Sequence, residues 1–377
     1  MSTDQYHQWL CELTHLPTAT GQEDRVIAWI TKYAKSRPNV IVKADRYGNL
    51  VLSRKSVPAT NSPIYITAHM DHPAFVLHEV IDSKTVIAEF RGGVKDEYFP
   101  GTAVLLHHGE DKPVKGKVVE IALKDEVLPD AKLFKIKFSK AVNAAIGDVL
   151  TWAFTRGTGK LPGVRKGLLH APACDDLAGL AAAIAAFDSL KRCKEDVRLL
   201  LTRAEEMAFI GAIGACKAKT IEKKSRLICL ETSKSFADSP IGDGPIVRVG
   251  DFTSTFDPDL TYRISKIAGD IQKQDASFKW QRKLMTGGTC EASAFGAYGY
   301  ISTCLCLALG HYHNMNEASL KIDSEIISMA DFDGLVRLLI AVAKGLNQAE
   351  KKSQASGAGG GLKPVLDDLF KRRKRVL

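Results

Sequence analysis

The chain has 377 residues, 45% hydrophobic and 25% charged, a balance that fits a globular protein with a large core and more than one domain. No run approaches the roughly 20 uncharged apolar residues of a membrane span, and the opening MSTDQYHQWLCELTH lacks a signal peptide's basic and apolar segments. Of the net charge of +9, +5 falls in residues 346–377, which argues against a nucleic-acid groove in the body of the protein.

Val26, Trp29, Ile30 and Tyr33 recur at helical spacing behind the polar turn Thr20–Glu23. A strand is expected at Asn39–Lys43, a turn at Arg46–Asn49 and a second strand at Leu50–Ser53. PIYITA (63–68) then reads as a buried strand. From 73 to 164 the texture changes to short β-rich runs broken by Gly, Lys and Asp: AFVLHEV, TVIAEF, TAVLLHH, GKVVEIAL, LFKIKFS and GDVLTWAF. Evenly spaced short strands predict a small barrel or sandwich inserted into an α/β domain made of 1–72 and 165–345.

After Pro172 the α/β rhythm returns. Asp176–Cys193 is Ala/Leu-rich and helical, while VRLLLT (197–202), LICL (227–230) and ISTCLCL (301–307) are continuous apolar runs suited to a mixed, largely parallel sheet covered on both faces. A last helix is expected over Ser324–Lys344. Beyond it, 346–377 reads as a flexible linker with a basic tail. Eight cysteines without a Cys-x-x-Cys pair suggest reduced thiols and a cytoplasmic location.

Chemistry-bearing residues gather where these segments end. PIYITA runs into His69 and Asp71, and Asp175-Asp176 precedes the Ala-rich helix. VRLLLT leads to Glu205-Glu206, LICL to Glu231, and ISTCLCLALG to His311 and His313. Singly, each has a bland explanation: a paired acid usually caps a helix, and a lone His-x-Asp usually sits in a surface turn. Together they place imidazoles and carboxylates past the carboxyl ends of strands, where an α/β sheet builds its sites.

That set suits two divalent cations, with His69, Asp175, Glu231, His313 and one of Glu205 and Glu206 as ligands. Asp175 is the best bridge, Asp71 can orient His69, and the other of the paired glutamates is left as the general base. Zinc is the first expectation, with cobalt or manganese as alternatives.

At these residues the sequence resembles the tetrahedral aminopeptidases, dinuclear metallopeptidases of glutamyl and leucyl type. The shared segments, in order, include TATGQEDRV, DRYGNL, AHMD, IGDVLTW, DDLAG, AEEMAFIGA, CLETS, IGDGPIVR, GGT and HNMNE. The resemblance implies hydrolysis of amino-terminal residues from peptides, with His69, Asp175 and Glu231 around one metal, Asp175, Glu206 and His313 around the other, and Glu205 as the general base. It also implies an inserted β-barrel domain at about 73–164 and a homo-oligomer, a hollow dodecamer in relatives. Four departures stand out: His72 replaces an acid, Glu231 replaces Asp, Cys290-Glu291 follows Gly-Gly-Thr, and Gly310-His311-Tyr312 precedes the last ligand.

The rival reading with the same donors is an amidohydrolase or deacylase acting on small N-acyl compounds. A glycosidase would need a carboxylate pair free of metal. The basic run KRRKR (371–375) is read as a solvated end, and neither nucleic acid nor membrane is expected as a partner.

Overall fold

The computed structural model describes residues 3–123, 131–154, 163–355 and 363–376. Helices α1 (Thr3–Leu13) and α2 (Asp24–Lys35) open the chain and pack through aromatic rings, with Trp9 edge-on to Tyr33 at 5.4 Å. A hairpin follows, β1 (Val40–Ala44) and β2 (Leu50–Arg54), its turn closed by the Asp45 carboxylate accepting from Tyr47 and Asn49 N–H groups. Next comes β3 (Ile64–His69), buried along its whole length.

Six strands then close into a barrel: β4 (Ala74–Asp82), β5 (Thr85–Arg91), β6 (Ala103–His107), β7 (Val114–Leu123), β8 (Lys132–Phe138) and β9 (Val149–Trp152). Alternation along each strand sends one set of side chains inward. The interior is aromatic, with Phe75 lying 4.9–5.9 Å from the rings of Phe90, Phe99, Phe134 and Trp152.

The second half begins with β10 (Val164–Arg165), β11 (Leu168–Ala171) and α3 (Leu177–Ser189). It continues through β12 (Val197–Thr202), α4 (Ile210–Ala218), β13 (Arg226–Lys234), β14 (Ile246–Gly250), α5 (Pro258–Gln274) and β15 (Gln281–Leu284). After these come α6 (Glu291–Ala297), β16 (Ile301–Leu309), the short pair β17 (Met315–Asn316) and β18 (Lys321–Ile322), β19 (Glu325–Ser328), α7 (Met329–Ala355) and α8 (Lys363–Arg373).

The main sheet has eight strands in the order β1-β2-β12-β3-β13-β16-β14-β15. Its centre, β12-β3-β13-β16, is parallel, and antiparallel pairings flank it. Central strands with apolar residues on both faces must be covered twice. One face is covered by α1, α3, α5 and α7 around a single large core; Ile184 of α3, Leu199 of β12 and Leu335 of α7 are all fully buried in it. The other face is covered by α4 and α6. The fold is therefore α/β, with a mixed, largely parallel sheet and a closed β-barrel.

Three local expectations need correction. The last helix begins at Met329, because Glu325–Ser328 pairs as a strand with β11. It runs past Gly345 to Ala355, so the first part of the segment read as a flexible linker is helical, and α8 follows within the basic tail. Glu231 lies inside β13 rather than beyond its end. Among the described residues no helix is long and apolar enough to cross a membrane.

Phe75→Ala should cost about 3–5 kcal/mol, since the void forms among rigid rings that cannot collapse into it. Denaturant unfolding checks this, and a loss under 1 kcal/mol would contradict the packing described.

Candidate metal centre

The four parallel strands end on one side of the sheet, and the site is assembled there. His69 closes β3, level with Thr202 at the end of β12. From β12 the chain turns through Ala204, held at φ 51°, into Glu205 and Glu206. Asp175 stands just before α3, joined to Asp176 by a cis peptide. Beyond β16, His313 and Asn314 occupy left-handed conformations at φ 53° and 64°.

These turns converge. His69 Nε2 is 3.5 Å from Asp175 Oδ1 and 4.0 Å from Glu205 Oε2. His313 Nε2 is 3.5 Å from the other Asp175 oxygen and 3.5 Å from Glu206 Oε1. Donor atoms of His69, Asp175 and Glu231 lie within 4.8 Å of one another, as do those of Asp175, Glu206 and His313, and those of His69, Glu205 and Glu206. Asp175 is shared by the first two groups; Glu205 belongs to neither.

The cluster is buried, and its electrostatics follow from that. Burial raises the carboxyls of Glu205 and Glu231 well above the usual range, with neighbouring acids adding to the rise. Burial likewise lifts Glu206 to about 7, opposed by the His313 charge. For Asp175 the burial cost is outweighed by His313 and His69, so its carboxyl is lowered. For His313 burial is outweighed by Glu206 and Asp175, which raise it to about 9. Asp175 Oδ1 is buried without a hydrogen-bond partner. An orphaned carboxylate oxygen among imidazole and carboxylate donors fits divalent metal ions.

Supporting residues fix the donors. Asp71 does more than face His69. Its backbone oxygen lies 3.1 Å and its carboxylate 3.4 Å from His69 Nδ1. The same carboxylate accepts from the N–H groups of Glu205 (3.0 Å) and Glu206 (3.2 Å) and from the Thr20 hydroxyl (2.8 Å). His313 Nδ1 donates to the carbonyl of Gly93, just after β5 of the barrel, at 2.7 Å. A Cβ at Gly93 would come within 3.3 Å of that ring, so glycine permits the approach.

Of the residues left unassigned by sequence, His311 is turned away to the Ser324 carbonyl, while His72 and Glu291 are buried near the cluster. Glu325, whose carboxylate accepts from the Cys174 and Asp175 N–H groups at 2.7 and 3.0 Å, escaped sequence reasoning entirely. It carries no motif and sits in a segment that reads as helix. Beside Glu231 opens a cleft lined by Ser233, Lys234, Phe236, Arg248, Thr289 and Tyr312 among others.

The sequence profile of the M42 glutamyl aminopeptidases matches residues 48–328. The chain belongs to this family. It is therefore a peptidase, of the metal-dependent aminopeptidase type. Among curated proteins none matches the chain.

Solved structures with the same fold include the TET1 peptidase of Pyrococcus horikoshii, described as assembling into a tetrahedron or a large octahedral shell. It is 20% identical, with 91% of this chain and 99% of that one covered at a TM-score of 0.72. An aminopeptidase from Desulfurococcus kamchatkensis is 18% identical, with 91% and 95% covered at 0.74. A TET aminopeptidase from a Thaumarchaeota archaeon is 17% identical, with 91% and 97% covered at 0.73.

Metal binding to this M42 centre should be pH-dependent. A proton on His313 must leave before the ring can coordinate, and its pKa near 9 extends that competition above neutrality; Glu206, near 7, adds to it. Affinity of the metal-free protein for Zn²⁺ is therefore expected to rise with pH between about 6 and 9, with proton release on binding. Calorimetry in buffers of different ionisation heats tests this, and a buffer-independent heat at pH 7 would contradict it.

Proposed function

We propose that this M42 protein removes amino-terminal residues from peptides using two divalent ions per subunit, zinc in the first instance, with cobalt or manganese as substitutes. One observation carries the reading: the two oxygens of a single buried carboxylate, Asp175, each face a different imidazole at 3.5 Å. A shared carboxylate of this kind is what a two-ion centre requires. In this reading His69 and Glu231 complete one side, and Glu206 and His313 the other. When bound, the ions acidify water and polarise the scissile carbonyl.

Glu205 serves as general base, taking a proton from the attacking water and returning it to the departing amine. Its exclusion from both groups that contain Asp175 supports the role, as does the 3.0 Å bond from its N–H to Asp71, which holds its backbone in place. The deacylase reading shares these donors and differs only in substrate. The match to a family of aminopeptidases favours peptides.

The cleft beside Glu231 supports an acidic preference. Arg248 is buried there, donates to Ser233 Oγ at 3.1 Å and leaves its Nε unpartnered. Among the described residues it pairs with no carboxylate, and a guanidinium so placed favours one supplied by the substrate.

We further propose a homo-oligomer, as in the structural relatives described as dodecamers or shells, with 73–164 as the inserted domain and 1–72 with 165–345 as the catalytic one. The cysteines are free thiols, which supports action in the cytoplasm.

A panel of aminoacyl and N-acyl amides, run alongside metal analysis, tests the function. Free-amine substrates should be cleaved and N-acyl ones spared. Glu205→Gln should keep its metal while losing about 10²- to 10⁴-fold in kcat. Near-normal turnover in that variant would remove the base assignment. Separately, Arg248→Met should lower kcat/KM for a glutamyl anilide by about 10-fold or more while sparing a leucyl anilide. Equal losses on both would refute the acidic preference.

A further inference from the structure

His72 follows the β3 ligand by three residues and lies outside all three donor groups. Its ring is 4% exposed. Nδ1 lies 2.6 Å from the backbone oxygen of Asp175, and Nε2 lies 3.0 Å from Asn314 Oδ1. The Asn314 amide nitrogen donates to the carbonyls of Pro172 (2.9 Å) and Asp323 (3.2 Å), which settles that its oxygen faces His72. Both ring nitrogens are thus directed at oxygens of the scaffold. Neither offers a lone pair to the donor cluster.

The consequence lies in what the ring connects. Asp175 is held at its N–H by Glu325 and at its carbonyl by His72, so the backbone carrying the shared carboxylate is gripped from both sides. At its other edge the ring packs against Asn314, the residue directly after His313, with Nε2 3.0 Å from its side-chain oxygen. His313 and Asn314 are non-glycine residues in left-handed conformations, a backbone state that persists only where surrounding bonds over-determine it.

We infer that His72 is a positioning residue, joining the Asp175 backbone to the His313 turn and thereby setting the spacing of the donors around the Asp175–Glu206–His313 ion. An ionised acid at this position has no proton to donate to the Asp175 carbonyl and could not make that connection. The function therefore belongs to the histidine of this chain. The inference rests on the two-ion reading above. Partners that orient metal ligands typically contribute 10- to 100-fold to metal affinity.

The test compares wild type, His72→Phe and His72→Gln as full-length proteins. Phe keeps a ring of similar size without donors; Gln restores N–H groups near the same place. Zn²⁺ titration of the metal-free proteins should show the second equivalent bound about 10- to 100-fold more weakly in the Phe variant and largely recovered in the Gln variant. The ligand-field absorption of the Co²⁺-loaded Phe variant should differ from wild type, a change that loss of general stability does not produce. Kinetics should show a fall in kcat with KM little altered.

Two equivalents bound to His72→Phe at wild-type affinity, with an unchanged Co²⁺ spectrum, would overturn the proposal. So would a weakened Phe variant that His72→Gln leaves equally weak. Should His72→Phe not fold, Asn314→Ser, which loosens the same connection from its far end, carries identical expectations. Failure of wild type itself to bind two ions would sink the two-ion reading instead, so the two failures are told apart.

Discussion

Acids crowded out of water are the constraint around which this molecule is organised. Asp71, Asp175, Glu205, Glu206 and Glu231 lie together at the ends of the parallel strands, with two imidazoles among them. Each ionised carboxylate removed from solvent costs several kcal/mol unless something compensates it. The protein compensates some fully: Asp71 faces the His69 ring, receives two backbone N–H groups and a hydroxyl, and its carboxyl stays low despite complete burial. Among the described residues Glu205 and Glu231 receive no such hydrogen bonds, and burial drives them up. Of the cations nearby, Arg203 is engaged with Glu23, and Arg248 lines the cleft beside Glu231. The uncompensated charge of the centre thus points to ions from outside, which is the physical content of metal dependence in this family.

Contacts from the barrel help hold the centre in place. The barrel orients His313 through the Gly93 carbonyl. It also reaches the other histidine, because Arg91 Nη1 donates to the Thr20 carbonyl at 2.9 Å while the Thr20 hydroxyl donates to Asp71. The barrel's closed hydrogen-bond ring and aromatic interior make it a stiff support for both. It is part of the site's frame as well as a separate folding layer.

Much of this was legible in the sequence because the signals are local. Buried strands announce themselves as apolar runs, and the donors sit within a few residues of those runs, so the convergence of the donors and the barrel strands could be read by position. What escaped is non-local. His72 meets Asp175 across 103 residues and Asn314 across 242, and Glu325 meets Asp175 across 150. Such pairings use backbone groups that every residue carries, so they leave no trace in composition. The helix α7 was misjudged at both ends for related reasons: pairing with β11 takes Glu325–Ser328 into a strand, and Gly345 is tolerated within a helix whose buried side is already packed.

The misplaced end of β13 has a larger consequence. Read from sequence, the strand stops before Glu231. In the fold it continues to Lys234, with Glu231 to Lys234 paired in register against Cys306 to Leu309 of β16. Glu231, Thr232, Ser233 and Lys234 then line the cleft in which Arg248 lies. Glu231, a member of the candidate donor cluster, and the cleft-lining Thr232–Lys234 are consecutive residues of one hydrogen-bonded strand. A strand cannot shift one of them by an ångström and leave the next where it was, because neighbouring residues share the same ladder. The reach of the Glu231 side chain, rather than a shift of the strand, therefore sets where its carboxylate lies, and substitutions along Thr232–Lys234 that keep the ladder leave that carboxylate in register.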